Sequence, residues 1–166
     1  MESYEELEEP IILSDYEIER GKPMPSRNHS LVQSQLVFLL KRKYNTQFSI
    51  PSELELEFLP KNAVPDLCIY PKMQVNFKTD DDVIRMPNPP LTAVEILSPR
   101  QALEEVTTKA RKQYFPNGIK SVWVVLPSLE TVIIITPELD LTYFTEGELF
   151  DPAINVRLMV SEIFQA

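Results

Sequence analysis

The chain has 166 residues, a formal net charge of −9 at pH 7 and 43% hydrophobic residues. These values favour a single globular domain over residues 1–166, and no apolar run approaches the roughly 18 residues that cross a bilayer. The acidic start, residues 1–9, lacks the basic and apolar regions of a secretory signal, so we expect a cytoplasmic protein without a membrane partner. The negative charge argues against nonspecific coating of nucleic acid, but it does not exclude a nuclease.

The chain contains one cysteine, Cys68, and one histidine, His29. An intrachain disulfide and a multi-histidine zinc site are therefore excluded, and we expect Cys68 to be a small buried strand residue. Three glycines leave no Gly-rich phosphate loop, and no Gly-x-Ser-x-Gly motif supports a serine nucleophile. A bound metal should be a hard ion with oxygen ligands.

The N-terminal part predicts short extended pieces followed by a helix. Residues 11–13 and 16–18 are candidate strands before a turn at Gly21. Over residues 28–44, apolar side chains fall on one broad face, with Ser26 or Asn28 as the N-cap, which predicts a helix.

Three extended segments follow, at residues 53–59, 63–70 and 91–97. In the first segment apolar and acidic residues alternate strictly, so one of its faces should be exposed to solvent. The other two are more continuously apolar, which is typical of inner strands, and we expect them to lie side by side. Residues 72–88 between them are predicted to form a surface excursion.

The C-terminal half predicts a second helix and further strands. Apolar spacing indicates a helix from about residue 101 to 115. The β-branched runs 121–126 and 131–136 predict a hairpin, and residues 141–144 are a further candidate strand. The tail, residues 158–164, has room for a short terminal helix.

Two acids stand inside the apolar segments, Asp66 in the second and Glu95 in the third. A buried carboxylate without a partner costs several kcal/mol, so two on adjacent strands predict a shared cation. Mg²⁺ needs only one or two carboxylates besides water, and the carbonyl of Ile96 is a candidate further ligand. For Asp66 the alternative is a strand-end turn in which the carboxylate caps a backbone amide.

A lysine near the attacking water would complete phosphodiester chemistry, and the candidate is Lys109. Glu105 and Lys109 are four residues apart, so they share one face of the predicted helix and can both point over the strand ends. The alternative is an exposed ion pair that contributes a few tenths of a kcal/mol.

Several runs share their order and spacing with one known family. They are Tyr-Glu-Ile at residues 16–18, residues 25–30, Val-Pro-Asp-Leu at 64–67, Val-Glu-Ile-Leu-Ser-Pro at 94–99, Lys109, Tyr114 and residues 118–125. In these residues the chain resembles the bacterial restriction-endonuclease-like family that is abundant in cyanobacteria, within the PD-(D/E)XK nuclease-like superfamily. The resemblance implies an α/β (α+β) fold with a mixed central sheet flanked by helices. To this core we add an N-terminal extended subunit and a C-terminal hairpin.

The resemblance also implies a function. Asp66 and Glu95 would bind Mg²⁺ or Mn²⁺, with Glu17 and His29 near the site, although His29 is otherwise more often a satisfied polar residue. Leu97 stands where the superfamily has a lysine, so Lys109 would take that role, and Glu105 would replace a frequent aspartate. The implied protein is a homodimeric nuclease acting on DNA. The alternatives are a catalytically inactive module that binds nucleic acid or protein, and a small interaction protein with solvated acids.

Overall fold

A computed structural model describes residues 12–99 and 101–165. Helices and strands are mixed along these residues. In chain order, the elements are α1 (Asp15–Arg20), α2 (Arg27–Tyr44), β1 (Phe48–Ser49), β2 (Glu55–Leu56), β3 (Leu67–Pro71), β4 (Arg85–Met86), β5 (Thr92–Ile96), α3 (Leu103–Lys109), β6 (Ser121–Leu126), β7 (Thr131–Ile135), β8 (Leu141–Phe144), β9 (Glu148–Asp151), β10 (Val156–Met159) and α4 (Val160–Ile163).

The centre is a six-stranded sheet in the order β1-β3-β5-β6-β7-β8. β5 and β6 are parallel and are connected through α3, whereas the other neighbouring pairs of this sheet are antiparallel. β2 and β4 form a small parallel sheet, and β9 and β10 form an antiparallel one. The predicted mixed α/β architecture is confirmed.

Helices cover both faces of the central sheet. On one face, Leu36 and Leu40 of α2 belong to a buried cluster that includes Trp123. On the other face, Val106 of α3 and Tyr114 belong to a second buried cluster. Because β3, β5 and β6 are covered on both sides, their sequences are almost continuously apolar.

The two longer predicted helices are confirmed. α2 begins after Ser26, whose hydroxyl accepts a hydrogen bond from His29 N at 3.2 Å. α3 continues beyond Lys109 as a π-helical turn over Ala110–Tyr114, then as a 3₁₀ turn that ends at Gly118, where φ is 99°. Such π-helical turns are frequent at functional sites, and this one directs Tyr114 into the interior.

The predicted N-terminal extended subunit is wrong. Residues 16–18 lie in α1, because Ser14 and Glu17 form a capping box with hydrogen bonds of 3.2 and 3.3 Å. Residues 12 and 13 are not in a strand, and residue 11 lies outside the described residues.

The predicted strand at residues 53–59 is also largely wrong. Only Glu55–Leu56 is extended and paired, and it pairs with β4 outside the central sheet. Glu53 has a φ of 52°, which interrupts an extended chain. The short strand β1, which the sequence pattern did not indicate, takes the sheet edge beside β3.

The remaining predicted elements are confirmed in place, although β3 begins only at Leu67, so residues 64–66 of the predicted strand at 63–70 lie before it. β3 and β5 lie side by side, β6 and β7 form a hairpin extended by β8, and α4 ends the described chain. Residues 72–88 form an exposed excursion that contains β4, and Cys68 is buried in β3. Within the described residues, no helix is long and apolar enough to span a membrane.

A buried carboxylate attaches the β9–β10 hairpin to the central sheet. Asp151 Oδ2 accepts hydrogen bonds from Ser121 Oγ at 2.6 Å and from Trp123 Nε1 at 2.7 Å. Its Oδ1 accepts one from Ala153 N at 2.9 Å. All three donors are neutral, so this acid is satisfied without a cation.

Candidate active site

Asp66 and Glu95 lie side by side at one end of the central sheet. In the antiparallel pairing of β3 with β5, Leu67 is opposite Val94, so Asp66 comes opposite Glu95 one residue further along. Both acids are fully buried. Two neighbouring carboxylates repel each other when ionised, so the surrounding donors and cations decide whether this arrangement is stable.

Four donors surround the carboxylate of Asp66. Its Oδ2 accepts from the backbone N–H of Ile96 at 2.7 Å and lies 3.0 Å from His29 Nε2. Its Oδ1 accepts from Lys22 Nζ at 2.7 Å and from Arg20 Nη2 at 3.0 Å. Burial alone raises the pKa of Asp66, but the His29 hydrogen bond and the Lys22 charge outweigh it and hold that pKa well below its usual range.

Three donors surround the carboxylate of Glu95. Its Oε2 accepts from Lys22 Nζ at 3.1 Å, and its Oε1 accepts from Lys109 Nζ at 3.3 Å and from the hydroxyl of Tyr114. Burial raises the pKa of Tyr114 well above its ordinary value, and the Glu95 charge adds to this shift. The phenol therefore keeps its proton and stays a donor to Glu95.

The ammonium of Lys22 connects the two acids. Its side chain is only 2% exposed, and its Nζ contacts Asp66 Oδ1 and Glu95 Oε2. Burial lowers the pKa of Lys22, but the charges of Glu95 and Asp66 together outweigh burial and raise it, so the lysine is charged. The cation shared by the two acids in this structure is thus a lysine of the chain itself.

The turn between α1 and α2 places Lys22 at the acids. Gly21 ends α1 in the left-handed conformation, with a φ of 72°, and its N–H donates to Glu17 O at 3.0 Å. The Glu17 carboxylate then accepts from Met24 N at 2.9 Å, which closes the turn. On the α1 side, Arg20 contacts Asp66 directly, so both ends of the turn are fixed.

His29 supports Asp66 from the start of α2. Its Nε2 faces the carboxylate, and its Nδ1 is buried with no hydrogen-bond partner among the described residues. Donation from Nε2 leaves Nδ1 as an acceptor in the neutral ring. His29 therefore orients Asp66 through Oδ2, the oxygen that Lys22 does not contact.

A cleft of about 480 Å³ opens beside the acids, between the turn after α1, residues 60–64 and α3. Lys109 and Lys112 line it, as does Glu105. Because the side chain of Lys109 is 22% exposed and also contacts buried Glu95, it links the cleft to the acid pair.

The structure brings five of the predicted site residues together: Asp66, Glu95, Lys109, His29 and Ile96, the last through its backbone N–H. Glu105 lies on the cleft one helical turn before Lys109. Glu17 caps α1 and closes the turn that carries Lys22.

The described residues do not form a complete set of metal ligands, so the metal-ligand prediction rests on two carboxylates. Within residues 12–99 and 101–165, no group of three or more His, Cys, Asp or Glu side chains is arranged to hold a metal ion. Asp66 and Glu95 supply two converging carboxylates, and Ile96 meets Asp66 through its N–H. A ligand role for the Ile96 carbonyl stays a prediction.

Sequence reasoning missed Arg20, Lys22 and Tyr114 as site residues. Lys22 lies in a polar turn before a proline, where no periodic pattern exists. Tyr114 matched the apolar face of the predicted helix, so its hydroxyl gave no separate signal. The signal available for Lys22 was electrostatic, because two buried acids require a cation from elsewhere in the chain.

The mixed sheet, its flanking helices and the acid pair at one sheet end define a nuclease-like α/β protein with a restriction-endonuclease-like core. The chain matches the family described as "Uma2: Putative restriction endonuclease" over residues 1–158, and it belongs to that family. The crystal structure of "a putative nuclease belonging to DUF820" from Anabaena variabilis has the same fold, with a TM-score of 0.73 and 23% sequence identity over 86% of this chain and 83% of that one. No curated protein matches the chain significantly.

Proposed function

We propose that the protein is a Mg²⁺- or Mn²⁺-dependent nuclease that hydrolyses phosphodiester bonds of DNA. The convergence of Asp66 Oδ1 and Glu95 Oε2 on one cation position supports this most directly. A divalent ion bound there would lower the pKa of an attacking water and stabilise charge on the phosphate. Membership of a restriction endonuclease family makes DNA the first substrate to test.

The donors at this position fit a hard divalent ion. Mg²⁺ takes about six oxygen ligands, keeps several waters, and is commonly held by one or two carboxylates. Asp66 and Glu95 would hold the ion, and the Ile96 carbonyl is the proposed third protein ligand. His29 is the single histidine of the chain, and its Nε2 contacts Asp66 Oδ2, whereas Lys22 contacts Oδ1.

Lys109 is the proposed residue for water positioning and charge neutralisation. It lies on the cleft and contacts Glu95, so its ammonium can meet a phosphate that enters from the cleft side. Glu105, one turn earlier on the same face, would orient that ammonium. His29 and Glu17 are assigned positioning roles, the first on Asp66 and the second on the turn that carries Lys22.

A second candidate is a catalytically inactive module that keeps the nuclease fold and binds nucleic acid or protein. One observation favours it: Lys22 already neutralises the acid pair, so the folded site has no unmet need for a metal. The two candidates differ in turnover.

Cleavage of labelled double-stranded and single-stranded DNA with Mg²⁺ or Mn²⁺ tests the nuclease proposal. We expect cleavage that stops in EDTA and falls by at least about a hundredfold in Asp66→Asn and Glu95→Gln, because each replaces a charged carboxylate ligand by a neutral amide. Glu148→Gln is the matched control, since Glu148 is an exposed residue of β9 that pairs with Arg157 and contacts neither acid.

Circular dichroism of each variant shows whether the fold is retained. Full activity in folded Asp66→Asn and Glu95→Gln would refute the site assignment. DNA binding without cleavage under either ion would favour the inactive module.

We further propose a homodimer in the cytoplasm, built from one domain of 166 residues. Large apolar side chains of the 72–88 excursion support self-association, with Phe77 96% and Ile84 82% exposed. Sedimentation equilibrium of the wild type and of Phe77→Ser tests this. A monomeric wild type at all concentrations would contradict the dimer.

A further inference from the structure

We propose that Lys22 is a built-in competitor for the divalent metal: its ammonium occupies the metal position, so metal binds only when Lys22 leaves. This inference rests on the proposed function in placing the metal between Asp66 and Glu95. It adds a residue that sets metal affinity and controls access to the acids.

The geometry of Lys22 is that of a bound cation. Its Nζ touches one oxygen from each acid, at 2.7 Å on Asp66 and 3.1 Å on Glu95, and these acids come from two separate segments, the residue before β3 and strand β5. Arg20 and Lys109 each contact only one of the two acids. Lys22 alone among the described cations therefore bridges them.

The local charge count shows why lysine and metal exclude each other. Three carboxylates and three permanent cations are in direct contact: Asp66, Glu95 and Glu53 with Arg20, Lys22 and Lys109. This cluster is balanced. A divalent ion added without the loss of Lys22 would leave two excess positive charges in a buried site, which is strongly unfavourable.

Space leads to the same conclusion. A metal ion that both carboxylates ligate must lie about 2.1 Å from each oxygen, within the region that the ammonium fills. Two cations in contact there would repel each other strongly at low dielectric. Occupation by Lys22 and by metal are therefore alternative states of one site.

Lys22 also closes the acids to substrate. Asp66 and Glu95 have no exposed surface, although the cleft opens beside them. Gly21 lines that cleft, so the turn that carries Lys22 forms part of its wall. Movement of this turn would remove the competing charge and open the acids to the cleft in one step.

The experiment is a calorimetric titration of the full chain with Mn²⁺, comparing the wild type with Lys22→Met and Lys109→Met. Lys22→Met keeps an unbranched side chain that is one atom shorter and removes the ammonium from the shared position, so we expect Mn²⁺ to bind at least about tenfold more tightly. Lys109→Met is the matched control because it removes one ammonium from Glu95 without vacating the shared position. Its Mn²⁺ affinity should rise by at least about threefold less than that of Lys22→Met, because the shared position stays occupied.

Two results would overturn the inference: Mn²⁺ binding to Lys22→Met that is absent or no tighter than in the wild type, and an equal gain in both variants. If Lys22→Met is unfolded without metal, the titration is followed by circular dichroism. Recovery of the fold with Mn²⁺ supports the inference, and failure to recover it opposes the inference.

The outcomes separate this inference from the nuclease proposal. Tighter Mn²⁺ binding in Lys22→Met without cleavage of any DNA would support the competitor role and refute the nuclease. DNA cleavage by the wild type together with unchanged Mn²⁺ affinity in Lys22→Met would support the nuclease and refute the competitor role.

Discussion

At the scale of single residues, the protein has two ways of burying an acid. Asp151 is satisfied by a hydroxyl, an indole and a backbone amide, all neutral. Asp66 is instead held by two cations, Lys22 and Arg20, together with His29 and the Ile96 amide. A cation beside a carboxylate can be replaced by another cation, whereas the neutral donors of Asp151 offer no such exchange, and this difference supports the proposed role of Asp66 as a metal ligand.

Asp151→Ala should destabilise the protein by about 2–4 kcal/mol, because the hydroxyl of Ser121 and the indole N–H of Trp123 lose their buried acceptor. Urea unfolding at pH 7 measures this loss. Asp151→Asn keeps an acceptor oxygen and should cost less. A loss below about 1 kcal/mol in Asp151→Ala would show that water replaces the carboxylate.

Stability should fall at alkaline pH. Burial raises the pKa of Tyr114 and of Cys68, with the Glu95 charge adding to both shifts. A group whose pKa is raised by folding contributes stability that is fully present below its unfolded pKa, about 8.5 for Cys and about 10 for Tyr, and is lost as pH rises further. The urea midpoint should therefore decrease progressively above about pH 9.

Tyr114→Phe tests the tyrosine contribution, since this variant should lose less stability than the wild type between pH 9 and 11, a range of about two units around the unfolded pKa. Tyr143→Phe is the matched control, because Tyr143 lies exposed on β8. Equal alkaline losses in wild type and Tyr114→Phe would contradict the assignment to Tyr114.

At the scale of elements, the turn after α1 is the part most directly linked to the site. Gly21→Ala should weaken the turn by about 1 kcal/mol, because alanine is strained in the left-handed region. Nothing lies within 4 Å of a Cβ built at Gly21, so the effect is one of backbone conformation only. If the turn holds Lys22 in place, the Mn²⁺ affinity should rise by up to about fivefold.

Gly147→Ala is the control for this prediction. Gly147 has a φ of 68° and also meets no atom within 4 Å of a built Cβ, but it lies in the turn between β8 and β9. Its substitution should cause a similar strain without a change in Mn²⁺ affinity. Hydrogen exchange of α1 and calorimetric titration provide the two measurements.

Sequence patterns predicted the elements whose burial is regular. α2 and the strands β3, β5 and β6 were predictable because apolar periodicity or continuity follows directly from being covered by the core. Residues 16–18 were not, because one apolar-acidic-apolar triplet fits a strand or a single helical turn equally well. The capping box at Ser14 and the glycine at residue 21 decide for the helix.

The failure at residues 53–59 has a different cause. Alternation predicted a strand over the whole segment, but only Glu55–Leu56 is paired, and its partner β4 comes from the surface excursion, where the sequence has no strand pattern. The left-handed Glu53 further shortens it. Pairing between short segments far apart in the chain depends on tertiary contacts that a local pattern does not contain.

At the scale of the whole molecule, a chain of net charge −9 must confine any DNA binding to local basic regions. The cleft provides one, with Lys61, Lys109 and Lys112 among its lining residues. Lys112→Gln should weaken DNA binding and reduce the slope of log K against log salt by about 0.9, the value for one lost phosphate contact on duplex DNA.

Fluorescence anisotropy with labelled DNA at several salt concentrations measures this slope. Lys41→Gln removes the same charge from the exposed surface of α2, which covers the opposite face of the sheet, and should leave the slope unchanged. Equal effects of the two substitutions would show that binding follows net charge rather than the cleft.

The acidic half of the candidate site was predictable, and much of the cationic half was not. Asp66 and Glu95 are visible in the sequence because an acid inside an apolar segment is energetically unfavourable unless it has a partner. Lys22 lies 44 and 73 residues before these acids, in a turn without periodicity. A lysine in a polar turn can be identified as a site residue only when the structure shows which groups its ammonium contacts.

The length of the turn between α1 and α2 sets the position of the Lys22 ammonium. One inserted residue between Gly21 and Lys22 would displace the ammonium by up to about 3.5 Å, which exceeds the tolerance of both hydrogen bonds. The number of residues in this turn is therefore as constrained as the identity of Lys22 itself.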